Sequence, residues 1–246
     1  ISSVVYFMSE IGLSWDDAKI TSAHGKNCNL VSMIKQNQKV FSILGTGSAV
    51  AELAQKLVEY EMGDVVLYVG ENLSYPDEKL FTFYLDEFET KLFDLPEGVY
   101  TCLIENEDCE EQILTPGIDD EIFSRTKVPM TKNEVRVLSI SRLELTKNAV
   151  VYDVGSGTGS VSIECARLSP DIFVFAIEQK EEAANLTKEN AVRLGLSDQI
   201  LVINKKAPEG FEELPTPTHV FIGGSSGALS DILSAIQKKL IVKENT

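Results

Sequence analysis

No stretch of this sequence approaches the ~18–20 consecutive apolar residues that span a bilayer, which argues against a membrane partner. Nor does it open on the basic-then-apolar pattern of a secretory leader. Histidine and cysteine are scarce. His24 and His219 are isolated, and Cys28, Cys102, Cys109 and Cys165 show neither metal nor disulfide spacing. That leaves no metal-ligand cluster and fits a reducing cytoplasm. Positive charge is the third shortage: 22 Lys and Arg stand against 38 Asp and Glu, for a net charge of −16. Nucleic-acid binding needs a basic footprint, so nucleic acid is an unsuitable partner. An anionic small molecule would need a local basic patch working against the overall field.

What is present is an ordinary globular composition. The 246 residues are 43% hydrophobic and 24% charged, enough to bury a core in one large domain or two smaller ones. Glu105-Asn-Glu-Asp-Cys-Glu-Glu111, followed by Thr115-Pro-Gly117, reads as a linker or as a solvated loop within one domain. We place a boundary there, giving domains 1–114 and 115–246. The chain opens on Ile in a helical pattern and stops at Thr246 just after one, so both ends read as cuts in a longer polypeptide.

Before the boundary the patterning predicts helices over 4–11 and 48–61, with strands over 19–22, 40–44, 64–69, 80–84 and 100–104, the third ended by Gly70. After it, helices over 132–143, 159–168, 180–194 and 227–240 alternate with strands over 150–154, 173–177, 200–204 and 218–222; Gly195 closes the third helix. Such alternation means right-handed crossovers and a parallel sheet. The fold class is therefore α/β. Ligands of such sheets lie beyond the carboxyl ends of the strands. The segments after four strand ends converge there: the glycine turn, Glu178, Lys206-Ala207-Pro208 and Gly223-Gly224.

The most informative stretch is Val151-Tyr-Asp-Val-Gly-Ser-Gly-Thr-Gly159, where an apolar strand runs into three glycines and then a helix. Strand, glycine turn and helix bring bare backbone against a nucleotide-like ligand; the competing reading is a plain βα turn with no ligand. A second acid, Glu178, ends the next strand, where a ribose-binding carboxylate belongs. Two positions before the first glycine stands Asp153, where dinucleotide fingerprints keep an apolar residue. That acid with Gly-x-Gly-x-Gly spacing resembles the first motif of the Rossmann-like S-adenosylmethionine-dependent methyltransferases.

The resemblance implies S-adenosylmethionine as cofactor. Asp153 would lie near its methionine end, and Gly155, Ser156, Gly157, Thr158 and Gly159 would receive methionine and ribose. Glu178 would take the ribose hydroxyls, or is a surface acid in the run that continues to Glu182; Ala207 would face the adenine. Gly223-Gly224-Ser225-Ser226-Gly227, leading into a helix, is an anion site built from backbone amides, a substrate wall, or a flexible connection. Thr131 reads as a helix N-cap with Glu134 completing a capping box, and the Pro129–Lys132 segment would also close over the cofactor. Arg125, Lys127, Lys132, Arg136 and Arg142 form a local basic cluster, either solvated helix charges or a carboxylate-binding rim with Arg136 as the candidate contact. Ser42-Ile-Leu-Gly-Thr-Gly-Ser48 looks similar to the main turn but has no acid in register after it, and reads as a structural strand-to-helix turn.

Taken together, Gly117-Ile-Asp-Asp-Glu-Ile-Phe123, Val128-Pro-Met-Thr-Lys132, Glu134-Val-Arg136, Asp153 to Gly159 and Phe221-Ile-Gly-Gly-Ser225 resemble the decarboxylating cobalt-precorrin-6B C(15)-methyltransferases of cobalamin synthesis, over about 117–240. The first part resembles the C-terminal half of cobalt-precorrin-7 C(5)-methyltransferases. It does so through Gly12-Leu-Ser-Trp-Asp-Asp-Ala18, Ser22-Ala-His-Gly25, Val69-Gly-Glu-Asn-Leu73, Tyr75-Pro-Asp-Glu78 and Ile104-Glu-Asn106, with Lys26 where that family has Arg. The order matches fused precorrin-6Y C(5),15-methyltransferases. The implied architecture is a Rossmann-like class I methyltransferase domain, incomplete at its C-terminus, preceded by the C-terminal α/β half of a tetrapyrrole methylase. The first half's own cofactor loop is absent, so C(5) methylation by this chain alone is not expected.

The implied reaction is methyl transfer to a precorrin or cobalt-precorrin with loss of carbon dioxide from an acetate side chain. Alignment and exclusion of water dominate such a transfer, and no residue is assigned as general base. Isolated C(15) enzymes of the family tend to be homo-oligomers. The rival readings are a class I methyltransferase acting on RNA or protein, a non-catalytic cofactor-binding fragment, and a nicotinamide dehydrogenase, which Asp153 disfavours.

Overall fold

A computed structural model describes residues 2–24, 29–85, 95–109 and 115–244. Gly25, Lys26 and Cys28, the Glu110–Glu111 end of the acidic run and the terminal Thr246 lie outside the described residues. The chain divides into two compact units, Ile1–Gln112 and Ile113–Thr246.

The first unit carries a sheet of β1 (Lys19–Ser22), β2 (Lys39–Ile43), β3 (Val66–Glu71), β4 (Lys79–Tyr84) and β5 (Tyr100–Glu105) in the order β1-β2-β5-β3-β4. Among the described residues only the β1–β2 pair of this sheet is parallel. Alternate residues of each strand serve opposite faces. Phe41 and Leu103 pack with Phe7 and Met8 of α1 (Ser3–Glu10). Val40 and Ile104 pack with Leu53 and Leu57 of α3 (Gly47–Glu59) and with Ile34 of α2 (Leu30–Gln36). The sequence pattern does not predict α2: Leu30 to Ile34 are buried without a break, so no amphipathic period shows. The Asn29 side chain nonetheless caps it, accepting from the Ser32 amide at 3.1 Å. Gly70 does not end β3, which runs on to Glu71. A Cβ on Gly70 would stand 2.7 Å from Leu73 and 2.9 Å from Phe7, so the glycine is there for packing.

The second unit has the doubly wound form. Strands β6 (Val150–Val154), β7 (Phe173–Ile177), β8 (Ile200–Ile203) and β9 (His219–Ile222) lie in the order β8-β7-β6-β9, all parallel. Helices α4 (Asn133–Leu143), α5 (Ser160–Arg167) and α6 (Glu181–Arg193) cover one face, where Ile140, Val151, Ile163, Cys165, Val174 and Ala191 form the core. On the other face α7 (Leu229–Glu244) buries Ile232 and Ile236 against Tyr152, Val154 and Phe211. Each such side chain contributes roughly 1.5–3 kcal/mol on burial. β6 is covered on both faces, and the reversal of strand order beside it is where such sheets open a crevice. At the far, amino end of the strands Gln199 is buried. Its Nε2 donates to the carbonyls of Ala166, Ser169 and Ile172 at 3.0, 2.7 and 2.8 Å.

Candidate functional site

The β6–α5 turn is built from bare backbone. Gly155, Gly157 and Gly159 have φ of +76, +60 and +76°, a region that side chains disfavour. Space is equally restrictive. A Cβ on Gly155 would lie 2.8 Å from the Gly224 backbone, one on Gly157 2.9 Å from the Pro129 carbonyl, and one on Gly159 2.7 Å from Thr187. The amides of Gly155 and Ser156 donate to the Ile177 carbonyl at 2.8 and 3.3 Å, tying the turn to the end of β7.

There Glu178 is almost buried, at 8% exposure. Its Oε2 accepts the Gly157 amide at 3.1 Å and its Oε1 the Lys180 amide at 2.9 Å. The carboxylate is therefore fixed in place by two backbone donors before any ligand arrives.

A cleft opens at this rim, lined among others by Val128, Pro129, Gly155, Gly157, Glu178 and Gln179. Lys180, Ala183, Lys205, Lys206, Ala207 and the loop Gly223 to Ser226 complete it. Of the residues expected from sequence, Gly155, Gly157, Glu178, Ala207, Gly223, Gly224 and Ser225 all line it. The others stand behind it. Ser156 Oγ lies 3.2 Å from Thr187 Oγ1, Thr158 is fully buried with its carbonyl accepting Asn190 Nδ2 at 2.9 Å, and Gly159 packs on Thr187.

Asp153 is 1% exposed; its Oδ2 accepts the Ser162 hydroxyl at 2.6 Å, and its Oδ1 has no hydrogen-bond partner among the described residues. Burial pushes its pKa up to about 6, opposed by the Ser162 hydrogen bonds and reinforced slightly by the Glu178 charge.

Several expectations are corrected. Thr131 is not the N-cap. Helix α4 starts at Asn133 behind Lys132, with no side-chain cap, so Glu134 is too early for a capping box. Thr131 instead offers its carbonyl to Arg136 Nη1 at 2.7 Å. Arg136 is no substrate contact: its side chain is wholly buried and its donors are taken by Glu164, Asp120 and the carbonyls of Ile118 and Thr131. The basic cluster thus breaks up. Lys132 pairs with Asp120 at 3.2 Å, while Arg125, Lys127 and Arg142 are exposed and do not line the cleft.

The amides of Gly223 and Gly224 are not free for an anion either. Both donate to the Val154 carbonyl, at 2.9 and 3.2 Å, because β9 runs parallel beside β6. The 40–48 segment does behave as a structural turn, with Thr46 Oγ1 capping the Ala49 amide at 3.2 Å.

Sequence reasoning did not single out Gln179, Lys180, Ala183 or Lys205, although Gln179 and Lys180 directly follow the acid at a strand end. Gln179 Nε2 donates to Ser226 Oγ at 2.6 Å, joining the loops after β7 and β9. Lys180, Lys205 and Lys206 enter no ion pair among the described residues and supply the cleft's cations. Among those residues no group of His, Cys, Asp or Glu could hold a metal, and no helix is long and apolar enough to cross a membrane.

The family model described as a precorrin methyltransferase domain matches residues 121–243, half of the chain and the whole of this rim. The chain belongs to the precorrin methyltransferase family. Within that family it is 44% identical over 128 residues to a probable cobalt-precorrin-6B C(15)-methyltransferase (decarboxylating) of Pyrobaculum calidifontis, covering 51% of this chain and 66% of that protein. It is 30% identical over 240 residues to a precorrin-6Y C(5,15)-methyltransferase (decarboxylating) of Sinorhizobium sp, covering 96% of this chain and 57% of that protein. This family member thus spans less than two thirds of either relative. A crystal structure of a precorrin-6y C5,15-methyltransferase from Geobacter metallireducens GS-15 aligns at 36% identity and TM-score 0.49, over 52% of this chain and 66% of that one.

Proposed function

We propose that the second unit is an S-adenosylmethionine-dependent methyltransferase of corrin-ring synthesis, methylating and decarboxylating a precorrin or cobalt-precorrin. The observation that carries this reading is the pairing of the glycine turn with the pinned Glu178 in one cleft, inside the segment matched by the family. The residues fit such a cofactor on structural grounds. Gly155 and Gly157 leave backbone bare where a Cβ would collide, and Glu178 presents a preset carboxylate to ribose hydroxyls. Ala207 adds only a methyl to the cleft wall where adenine would lie. S-adenosylmethionine supplies an activated methyl group on a sulfonium centre.

The chain's own part is binding, orientation and exclusion of water. Lys180, Lys205 and Lys206 line a cleft in a protein of net charge −16, and are suited to the carboxylates of an acceptor that the overall field repels. Among the described residues Glu178 is the one carboxylate lining the cleft, and both its oxygens already accept amides. We therefore assign no general base; the electrons released on decarboxylation pass into the conjugated acceptor. The alignment across 96% of the chain supports reading 1–114 as the C-terminal half of a tetrapyrrole methylase. Free, buried Cys102 and Cys165 suit a reducing cytoplasm.

The test is incubation with the methyl donor and a precorrin or cobalt-precorrin acceptor, following product mass and carbon dioxide together. The proposal expects one methyl gained and one carbon dioxide lost. Binding of the donor's by-product without turnover of either acceptor would favour the non-catalytic reading.

A further inference from the structure

Arg136 is wholly buried, yet its guanidinium touches nothing in the cleft. Its Nε donates to Glu164 Oε1 at 3.2 Å and its Nη1 to Asp120 Oδ1 at 3.1 Å and to the Thr131 carbonyl at 2.7 Å. Nη2 donates to the Ile118 carbonyl, and the planar group lies 4.9 Å over the Phe123 ring. Glu164, equally buried, also accepts the amides of Gly117 and Ile118 at 2.9 and 2.7 Å. A buried ion pair by itself adds little net stability, so this network needs another reason.

Its geometry supplies one. Ile118 and Thr131 are the two ends of a loop, and one side chain holds both of their carbonyls. The loop is closed at its neck like an Ω-loop. Just before Thr131, Val128 and Pro129 line the cleft, and the Pro129 carbonyl sits where a Cβ on Gly157 would be 2.9 Å away. A second tie joins loop and turn directly. Asn190 Nδ2 donates to Ser124 O at 3.0 Å and to Thr158 O at 2.9 Å, while its Oδ1 accepts the Ser124 amide at 2.7 Å.

We infer that Arg136 is a positioning residue for the cofactor cleft: it clasps the neck of the 118–131 loop and, with Asn190, holds Pro129 against the Gly155–Gly159 turn. This rests on the cofactor reading proposed above. Lysine cannot replace the clasp, because a single ammonium lacks the planar fork that reaches carboxylates and carbonyls on three sides.

The experiment titrates S-adenosylhomocysteine into the full chain and records Kd and dissociation rate at a temperature where every variant is folded. Arg136→Lys and Asn190→Ala should each weaken binding roughly tenfold or more and speed release, as a displaced supporting loop does. Gln199→Ala serves as the control. It removes three buried hydrogen bonds at the opposite end of the strands, so it should lower Tm and leave Kd unchanged. A merely structural role for Arg136 would make its variant behave like Gln199→Ala. If Arg136→Lys does not fold, Asn190→Ala decides. Folded variants binding within about twofold of the wild type overturn the inference. A wild type that binds no S-adenosylhomocysteine instead overturns the cofactor reading, and the inference with it.

Discussion

Two turns in this protein look alike as sequence and differ in what surrounds them. In the first unit β2 runs into Gly45-Thr46-Gly47 and α3; in the second β6 runs into Gly155 to Gly159 and α5. Gly45 also has a positive φ, +89°. There the resemblance stops. Thr46 caps its helix, Gly47 is glycine because a Cβ would meet Leu95 at 2.8 Å, and a Cβ on Gly45 would run into the His24 ring. The first turn is filled by the protein itself. The second lies between two parallel neighbours, β7 and β9, whose following segments line a cleft with it. Two residues before the first glycine stands Ile43 in one case and Asp153 in the other. A glycine turn marks close approach, and the neighbouring strand ends decide whether what approaches is protein or ligand.

The largest effect should separate the turns by readout. Gly157→Val puts a branched side chain at φ +60° against the Pro129 carbonyl, and should weaken S-adenosylhomocysteine binding at least about 100-fold, roughly 2.7 kcal/mol, in calorimetric titration. Gly45→Ala should lower the first unit's thermal stability and leave that affinity alone. Loss of affinity in both would erase the distinction.

Asp153 sharpens the contrast through pH. Folding raises its pKa from 3.8 to about 6. The stability contributed by its proton is therefore complete below about pH 4 and lost as pH rises through about 6. Asp153→Asn keeps a neutral group. Relative to the wild type it should gain about 2–3 kcal/mol between pH 4 and pH 7 in denaturant unfolding. A pH-independent difference would show that the carboxyl is not perturbed. Ile43 offers no such titration.

Glu178→Gln should cost binding about tenfold, roughly 1.4 kcal/mol, since the charged acceptor is lost while the side-chain shape is kept. The smallest change is Thr46→Ala, worth about 1 kcal/mol of α3 stability and no change in titration.

Much of this was legible because local pattern and tertiary role coincide. The strands at 150–154 and 173–177, the acid at 178 and the glycines in register all follow from period and spacing. What escaped was decided by distant partners. Arg136 reads as a solvated helix charge or as a carboxylate contact on the rim, and it is instead buried by Glu164, from the next helix, and by Asp120 and Phe123, from the preceding loop. Gly223 and Gly224 read as free amides until β9 pairs with β6 and brings the Val154 carbonyl to them. Lys180 and Lys205 look like any surface cations until three strand ends meet. α2 escaped because it is buried on every side and shows no stripe.

The measurement that bears most directly on the central claim is calorimetric titration of the full chain and its Gly157→Val variant with S-adenosylhomocysteine. The account predicts one equivalent bound by the wild type and none detectable by the variant at the same concentrations. A wild type that releases no heat and shows no shift in Tm with the ligand, or a variant that binds as well as the wild type, would contradict it.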